Sequence, residues 1–316
     1  MRRARTGTLL AAAALLAGLL GAGGSAAGAG GAVAPGGAPA AAGGAAPGLA
    51  PAADDCDTGV SLPPAQQAGA RIQEIRKRGY LVVGVDQSAY NWGYRDSLSG
   101  KIEGFDIDLA RAVAKSVLGD ENKLVLKTIA TADRVKLLQQ QPQPIDLIVR
   151  AMTITCDRMK QIAFSAPYFK VSQRVVAPKT AHADSVAKAL GGKRVCAALN
   201  SSSHTELKAN AHGAASIVTP DNQLDCLVLM ELGEADATLS DSSLAAAMVA
   251  QDETMELAGE SFLPTYMGVG MNQRDTDLVG WVNQVLVDWR NNGGWQAGYD
   301  RWLRSSMGKP DPYRPW

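Results

Sequence analysis

The fold class is decided by three neighbouring segments, Tyr80–Val85 (YLVVGV), Gly104–Val117 (GFDIDLARAVAKSV) and Leu124–Ile129 (LVLKTI). The first and the third are short apolar runs of the kind that form buried strands. In the middle segment, apolar residues recur at three-and-four spacing behind Asp106, which predicts an amphipathic helix. Because a strand, a helix and a second strand follow one another, we expect a mostly parallel sheet covered by helices, which is an α/β fold.

The same alternation continues on both sides of these segments. A short helix at Ala70–Arg78 precedes them, and a helix capped at Thr131 and a strand at Ile145–Val149 follow. A second block comes next, with strands predicted at Arg174–Ala177, Arg194–Ala198, Ser216–Val218 and Ala235–Leu239 and helices at Ser203–Asn210, Asp221–Leu232 and Ser242–Ala250.

After this block we predict a strand at Tyr266–Met271 and two helices, Asp275–Arg290 and Trp295–Leu303. If that strand joins the first sheet, the chain crosses twice between two lobes. We therefore expect lobe 1 at residues 69–176 plus 262–316, lobe 2 at residues 177–261, and a ligand cleft between them.

Residues 1–27 are typical of a signal peptide. Arg2, Arg3 and Arg5 precede an apolar run at Leu9–Leu20 that is short for a bilayer span, and small residues follow. We expect cleavage after Ala27, with an uncleaved membrane anchor as the alternative. No Cys follows the apolar run, so the lipid-attachment site of lipoproteins is missing. The chain is therefore expected to be exported to the outer side of the cytoplasmic membrane.

Composition and charge narrow the class of protein further. The 316 residues carry 31 Lys and Arg against 31 Asp and Glu, so the chain lacks the basic surface that a nucleic acid requires. Residues 28–68 are rich in Ala, Gly and Pro without a periodic apolar face. Such a segment cannot bury enough surface to offset its ordering entropy, so we expect a flexible tether.

The four cysteines, Cys56, Cys156, Cys196 and Cys226, favour two disulfides in an exported protein. Three pairings are open. A Cys196–Cys226 bridge would close a loop of about 30 residues, and a Cys56–Cys156 bridge would fix the end of the tether to the body. We expect no metal site, because there is no C-x-x-C spacing and the three histidines, His182, His204 and His212, are scattered.

Five groups of motifs occur in order between about residues 70 and 304: GFDIDL at 104–109, DLI at 146–148 with MTITCDR at 152–158, FSAPY at 164–168, GKRV at 192–195 with ADATLSD at 235–241, and NGGW at 292–295. In order and spacing they resemble the family 3 extracellular solute-binding proteins, the receptors of polar amino-acid ABC importers. The resemblance implies a two-lobed, periplasmic-binding-protein-like (type II) fold that passes a free amino acid to permease subunits. The four cysteines and the long tether resemble the actinobacterial, glutamate-binding branch. We expect no cofactor and a monomer.

A free amino acid carries a carboxylate and an ammonium on one carbon, so its receptor needs a fork of donors and an opposing carboxylate. Arg158 offers a planar fork for bidentate binding. The resemblance implies that Arg158 and Thr153 bind the ligand's α-carboxylate and that Asp241 binds its ammonium. The alternatives are a surface ion pair for Arg158 and a helix N-cap for Asp241.

Further candidates stand at strand ends and turns. Ser201, Ser202 and Ser203 lie where a strand turns into a helix, a position that favours anions or that the serines simply cap. The family often has a basic residue and Gly-Thr here, which this chain lacks. Arg150 is a candidate for the side-chain carboxylate of Glu or Asp, with an internal ion pair to Asp86 or Glu103 as the alternative.

Trp92 and Tyr94 are candidates for an aromatic wall that stacks on the ligand, Trp92 being preferred, with loop or core positions as the alternative. Together these residues predict a binding protein for an acidic amino acid, glutamate or aspartate, rather than an enzyme. A module that senses its ligand for a membrane kinase partner is the alternative. A dehydratase on the same scaffold is less favoured, because the expected cleft shows no general acid or base beyond Asp241.

Overall fold

A computed structural model of the protein describes residues 56–310. Its strands are β1 (Leu81–Val85), β2 (Ser88–Ala89), β3 (Gly93–Arg95), β4 (Ile102–Glu103), β5 (Leu124–Thr128), β6 (Leu147–Ile148), β7 (Ala163–Phe164), β8 (Phe169–Pro178), β9 (Arg194–Cys196), β10 (Ser216–Val218), β11 (Ala237–Asp241), β12 (Met255–Met267) and β13 (Gly270–Met271). Its helices are α1 (Ala70–Arg78), α2 (Phe105–Leu118), α3 (Arg134–Gln139), α4 (Cys156–Met159), α5 (Val186–Leu190), α6 (Ser202–Ala209), α7 (Asp225–Glu231), α8 (Ser242–Gln251), α9 (Thr276–Asn291), α10 (Gly294–Trp302) and α11 (Arg304–Met307).

Two five-stranded sheets form the cores of two lobes. The first has the order β5-β1-β6-β13-β7, with β1 parallel to β5 and β6, and β13 antiparallel to β6 and β7. The second has the order β10-β9-β11-β8-β12, in which β9 is parallel to β10 and β11 while β8 is antiparallel to β11 and β12. The short strands β2, β3 and β4 form a third sheet. The predicted α/β class and βαβ order are confirmed.

The chain passes between the two sheets at two neighbouring places. It leaves the first sheet after β7 and returns to it at β13, where Gly270 pairs with Ile148. The long strands β8 and β12 pair along their length within the second sheet. The predicted boundaries at residues 176 and 261 fall inside these two strands, so the sheets themselves divide the chain near residues 168 and 268.

The start of helix α2 in lobe 1 depends on a glycine. Gly104 precedes α2 with φ of 131°, and a Cβ built there would lie 2.5 Å from Trp92 O. A side chain is therefore excluded, and the following residues enter the helix with Phe105 and Ile107 fully buried in the core. Asp106, between them, is directed into the interior of the lobe and is 2% exposed.

Both disulfides pair in the way considered above, Cys56 with Cys156 and Cys196 with Cys226. Residues 56–68, the end of the predicted tether, contact lobe 1: Ser61 Oγ donates to Phe164 O, and Asn283 Nδ2 donates to Leu62 O at 2.6 Å. The predicted signal peptide and residues 28–55 of the tether lie outside the described residues. Within residues 56–310, no helix is long and apolar enough to span a membrane.

Candidate functional site

The candidate site is a small cavity where the two lobes meet. It is lined by Thr131, Arg134, Arg150, Ala151 and Thr153 of lobe 1 and by Ser201, Ser202, Ser203, Gln223, Ser240, Asp241 and Leu244 of lobe 2. The lobe 1 residues follow the carboxyl ends of β5 and β6, the edge at which ligands bind in open α/β sheets. The cavity volume is about 20 Å³, room for a water molecule, so a larger ligand requires the lobes to separate.

Arg158 joins the two lobes directly. It lies in the one-turn helix α4, whose N-cap Thr155 accepts a hydrogen bond from Arg158 N. Its Nη1 donates to Thr153 O at 2.7 Å, and its Nη2 donates across the cleft to Asn200 O at 2.8 Å. Burial lowers the pKa of Arg158 to about 10. The guanidinium is thus positioned by carbonyls alone, and in the described part of the chain no carboxylate lies within salt-bridge distance of it.

Arg134 is another buried guanidinium between the lobes, and the sequence did not predict it. It lines the cavity, whereas Arg158 lies beside the cavity and is not part of its lining. Arg134 is 5% exposed at the start of α3, and it donates to Thr131 O at 3.0 Å and to Arg150 O at 3.4 Å. Burial, Arg158 and Arg150 hold its pKa well below the ordinary value. Within residues 56–310 it has no carboxylate at salt-bridge distance either. Its signal in the sequence was a charged residue in the loop after a parallel strand.

Arg150 forms the internal ion pair that was the alternative for it. Its Nη2 lies 2.9 Å from Asp86 Oδ2 and also donates across the cleft to Asn222 Oδ1 at 3.2 Å. Its Nη1 donates to Thr131 Oγ1 at 2.6 Å. Its Nε is buried without a partner among the described residues. Glu103, the other carboxylate considered, instead accepts a hydrogen bond from Tyr94.

Asp241 divides its two carboxylate oxygens. Its Oδ1 caps α8 by accepting hydrogen bonds from Ser243 N at 3.1 Å and Leu244 N at 3.0 Å, and the Ser243 hydroxyl also donates to it. Among the described residues, no donor contacts Oδ2. Burial raises the pKa of Asp241, and these cap bonds and Arg134 oppose the rise. The N-cap role is therefore present, and Oδ2 remains for a cation.

Of the three serines, Ser202 contacts lobe 1 across the cleft. Ser201 is the N-cap of α6 and accepts from His204 N at 3.0 Å. Ser202 Oγ lies 3.2 Å from Thr153 Oγ1, which places two predicted site residues of opposite lobes in contact. Ser203 Oγ donates to Gln173 Oε1 at 2.6 Å and so faces the second sheet.

Trp92 and Tyr94 are not brought to the cavity. Trp92 is 1% exposed, and its ring packs edge-on against Phe105 and Phe169 with centroids 5.4 and 4.8 Å away. Tyr94 donates to Glu103 Oε1 at 3.1 Å and packs against Tyr90. Trp92 occupies the core and the half-buried Tyr94 packs against that core, as in the alternative considered for them, because β2 and β3 turn this segment back over α2.

The fold and the inter-lobe cavity define a two-lobed protein of the periplasmic binding class. The sequence profile of the bacterial extracellular solute-binding proteins, family 3, matches residues 81–305. The chain belongs to this family, which confirms the resemblance drawn from the motifs, whereas the actinobacterial branch stays a prediction.

Relatives and solved structures agree with this assignment. The glutamine-binding protein of an ABC transporter of Bacillus subtilis is 30% identical over 233 residues, 74% of this chain and 84% of that protein. A glutamine-binding protein of Geobacillus stearothermophilus is 33% identical over 199 residues, 63% of this chain and 75% of that protein. The crystal structure of a mutant arginine-binding protein of T. maritima superposes with a TM-score of 0.68 at 29% identity and covers 74% of this chain and 99% of that one.

Proposed function

We propose that this protein is the binding component of an ABC importer for an acidic amino acid, with glutamate as the first candidate and aspartate as the second. It captures the ligand between its lobes as an exported monomer and delivers it to permease subunits in the membrane. The names of its relatives support amino-acid import. The choice of an acidic ligand rests on one observation, the charge balance of the cleft.

The charged side chains that line the cavity, together with Arg158 and Asp86 beside it, sum to an excess of one positive charge. Arg150 is neutralised by Asp86, whereas Arg134 and Arg158 donate only to carbonyl oxygens. Asp241 is the carboxylate that lines the cavity opposite them. An uncompensated buried charge is costly. A ligand with two carboxylates and one ammonium supplies the missing negative charge, and a neutral zwitterion leaves it unmet.

Each ligand group then has a partner of opposite charge. Arg158 and the Thr153 hydroxyl bind the α-carboxylate, and Asp241 Oδ2 binds the ammonium. Arg134 binds the side-chain carboxylate. Arg150, whose Nε is buried without a partner among the described residues, also lines the cavity. Hydrogen bonds to charged groups contribute about 1.5–3 kcal/mol each, which offsets the loss of the ligand's hydration.

We infer which bonds a ligand replaces from the present cross-cleft contacts. Asn200 O and Asn222 Oδ1 already supply oxygen atoms to Arg158 and Arg150. Both are neutral oxygens, and a carboxylate oxygen forms shorter and stronger bonds to guanidinium. A bound acidic amino acid therefore exchanges two weak acceptors for two charged ones, and the lobes close again around it.

Calorimetric titration with glutamate, aspartate, glutamine, asparagine and arginine tests the proposal. We expect Arg158→Ala to abolish binding of all five. Arg134→Leu should weaken glutamate binding about tenfold or more and leave glutamine binding unchanged or tighter, because the excess positive charge is removed. Asp241→Ser keeps a capping oxygen on α8 and should lose affinity for every amino acid without a comparable loss of stability.

Arg174→Ala is the matched control, since Arg174 also donates to a backbone carbonyl, that of Gly259, but lies in β8 away from the cavity. It should bind as the wild type does. If Arg134→Leu lost affinity for glutamate and glutamine equally, the preference for an acidic ligand would be contradicted. Wild-type protein that binds none of the five would remove amino-acid capture altogether.

A further inference from the structure

Ala151 has an unusual backbone conformation at the floor of the cleft. Its φ is 42°, in the left-handed region that residues with a Cβ rarely occupy. It lies between Arg150 and Thr153, and all three line the cavity. A strained residue persists only where its surroundings hold it. The contacts that hold Ala151 therefore also influence the directions of the Arg150 and Thr153 side chains.

The contact that holds Ala151 comes from behind the cleft. Asp106, in the first turn of α2, accepts a hydrogen bond from Ala151 N on its Oδ2 at 2.8 Å. Its Oδ1 accepts from the Tyr168 hydroxyl at 2.9 Å. The carbonyl of the same peptide, Arg150 O, accepts from Arg134 Nη1 at 3.4 Å. The Arg150–Ala151 peptide thus links Asp106 to Arg134.

We propose that Asp106 is a positioning residue of the ligand site, which fixes the Arg150–Ala151 peptide and, through it, the directions of Arg134 and Thr153. The inference rests on the proposed function, because ligand affinity is the quantity that Asp106 controls. Asp106 does not line the cavity. Aligned peptide and carboxylate dipoles strengthen one another in a chain of this kind.

The burial of Asp106 fits this role. Burial raises its pKa to about 7, and the hydrogen bonds from Ala151 and Tyr168 oppose that rise. A carboxyl that only filled space would be replaced at no loss by an apolar group of similar size. A carboxyl that holds the peptide is replaceable only by another acceptor.

The test compares Asp106→Leu with Asp106→Asn by calorimetric titration of glutamate. Leucine has the same branching at Cγ and no acceptor, so we expect about tenfold or more weaker binding. Asparagine keeps an acceptor for Ala151 N and should restore the affinity to within about threefold of the wild type. Asp108→Leu is the matched control on the same helix, because Asp108 accepts from Trp302 Nε1 at 2.6 Å and has no contact with the cleft residues. It should unfold more easily and bind normally.

A second readout separates positioning from general loss of stability. If Asp106 acts through the loop that carries Thr153, the losses in Asp106→Leu and Thr153→Ala should combine to less than their product. Should Asp106→Leu not fold, Asp106→Ser takes its place with the same expected loss, because its short hydroxyl does not reach Ala151 N.

Normal glutamate affinity in a folded Asp106→Leu variant, or fully multiplicative losses in the double variant, would overturn the assignment. Failure of Asp106→Asn to restore binding would overturn it as well. If the wild type itself binds no acidic amino acid, the proposed function fails instead, and the two failures are thereby distinguished.

Discussion

At the scale of single residues, Asp106 makes the stability of the protein depend on pH. Burial raises its pKa to about 7 in the folded protein, from an ordinary value of 3.8. The folded state therefore binds the proton more tightly than the unfolded chain does. This contribution to stability is fully present below pH 3.8, declines as the pH rises, and is lost above about pH 7.

We expect Asp106→Asn to abolish this decline, because an amide does not titrate. The difference in unfolding free energy between wild type and Asp106→Asn should change by as much as about 4 kcal/mol between pH 4 and pH 8, in the direction that favours the variant at high pH. Urea denaturation at several pH values measures it. Asp241 and Asp275, whose pKa values are also raised, titrate in both proteins and cancel in the difference. Parallel curves would contradict the assignment.

Some site residues could be predicted from the sequence around them, whereas others depend on contacts between distant parts of the chain. Arg158 and Asp241 could be predicted from the sequence because each stands at a fixed place in a strand-turn-helix motif, which sets the direction of its side chain. Trp92 was placed wrongly at the cleft because the turn through β2 and β3, which buries its ring, is a tertiary feature. Arg134 was missed because its importance comes from the tertiary proximity of three guanidinium groups, which stand in α3, after β6 and in α4.

At the scale of elements, the Cys56–Cys156 disulfide and helix α4 form one unit. Cys156 is the first residue of α4, and Arg158 is the third. The helix has four residues and cannot be stable alone. Its position therefore depends on the Thr155 cap, on lobe 1 and on the disulfide. Because Arg158 is part of α4, its position depends on the same contacts.

We expect the two disulfides to differ in what their removal does. Replacing Cys56 and Cys156 with Ser should lower stability and weaken amino-acid binding about three- to tenfold, because α4 and Arg158 become less fixed. Replacing Cys196 and Cys226, the matched control, should lower stability by about 3.5 kcal/mol or less and leave affinity unchanged. Thermal unfolding and calorimetry provide the two measurements. Equal affinity losses in both variants would show that α4 needs no such anchor.

Elements with an apolar run were predicted well, and edge elements were not. The parallel strand β1 is buried along its length, and its sequence, LVVGV, is apolar without interruption. Strand β12 was missed before Tyr266 because it lies at the edge of the second sheet, where β8 is its neighbour, and contains exposed polar residues and Pro264. This segment is a strand because it pairs with β8, and its own composition does not indicate one.

At the scale of the whole molecule, the lobes are held together by a few direct bonds. Arg158 reaches Asn200 O, Arg150 reaches Asn222 Oδ1, and Thr131 N donates to Asp221 O at 3.1 Å. These bonds leave a cavity too small for an amino acid. The ligand therefore enters an open form, and the cross-cleft bonds compete with it. Apparent affinity falls by the fraction of molecules that are closed without ligand.

Weakening one of these bonds should raise affinity rather than lower it. We expect Asn222→Ala to open the unliganded protein, seen as a larger radius of gyration in small-angle X-ray scattering, and to tighten glutamate binding by up to about tenfold. Asn210→Ala is the control, since Asn210 lies in the same lobe and its side chain accepts only from His212 N. Saturating glutamate should return Asn222→Ala to the wild-type radius, because the ligand's own bonds then join the lobes. Unchanged scattering and weaker binding in this variant would instead show that Asn222 contacts the ligand. The free energy of opening would then come from the bond between Arg158 and Asn200 O.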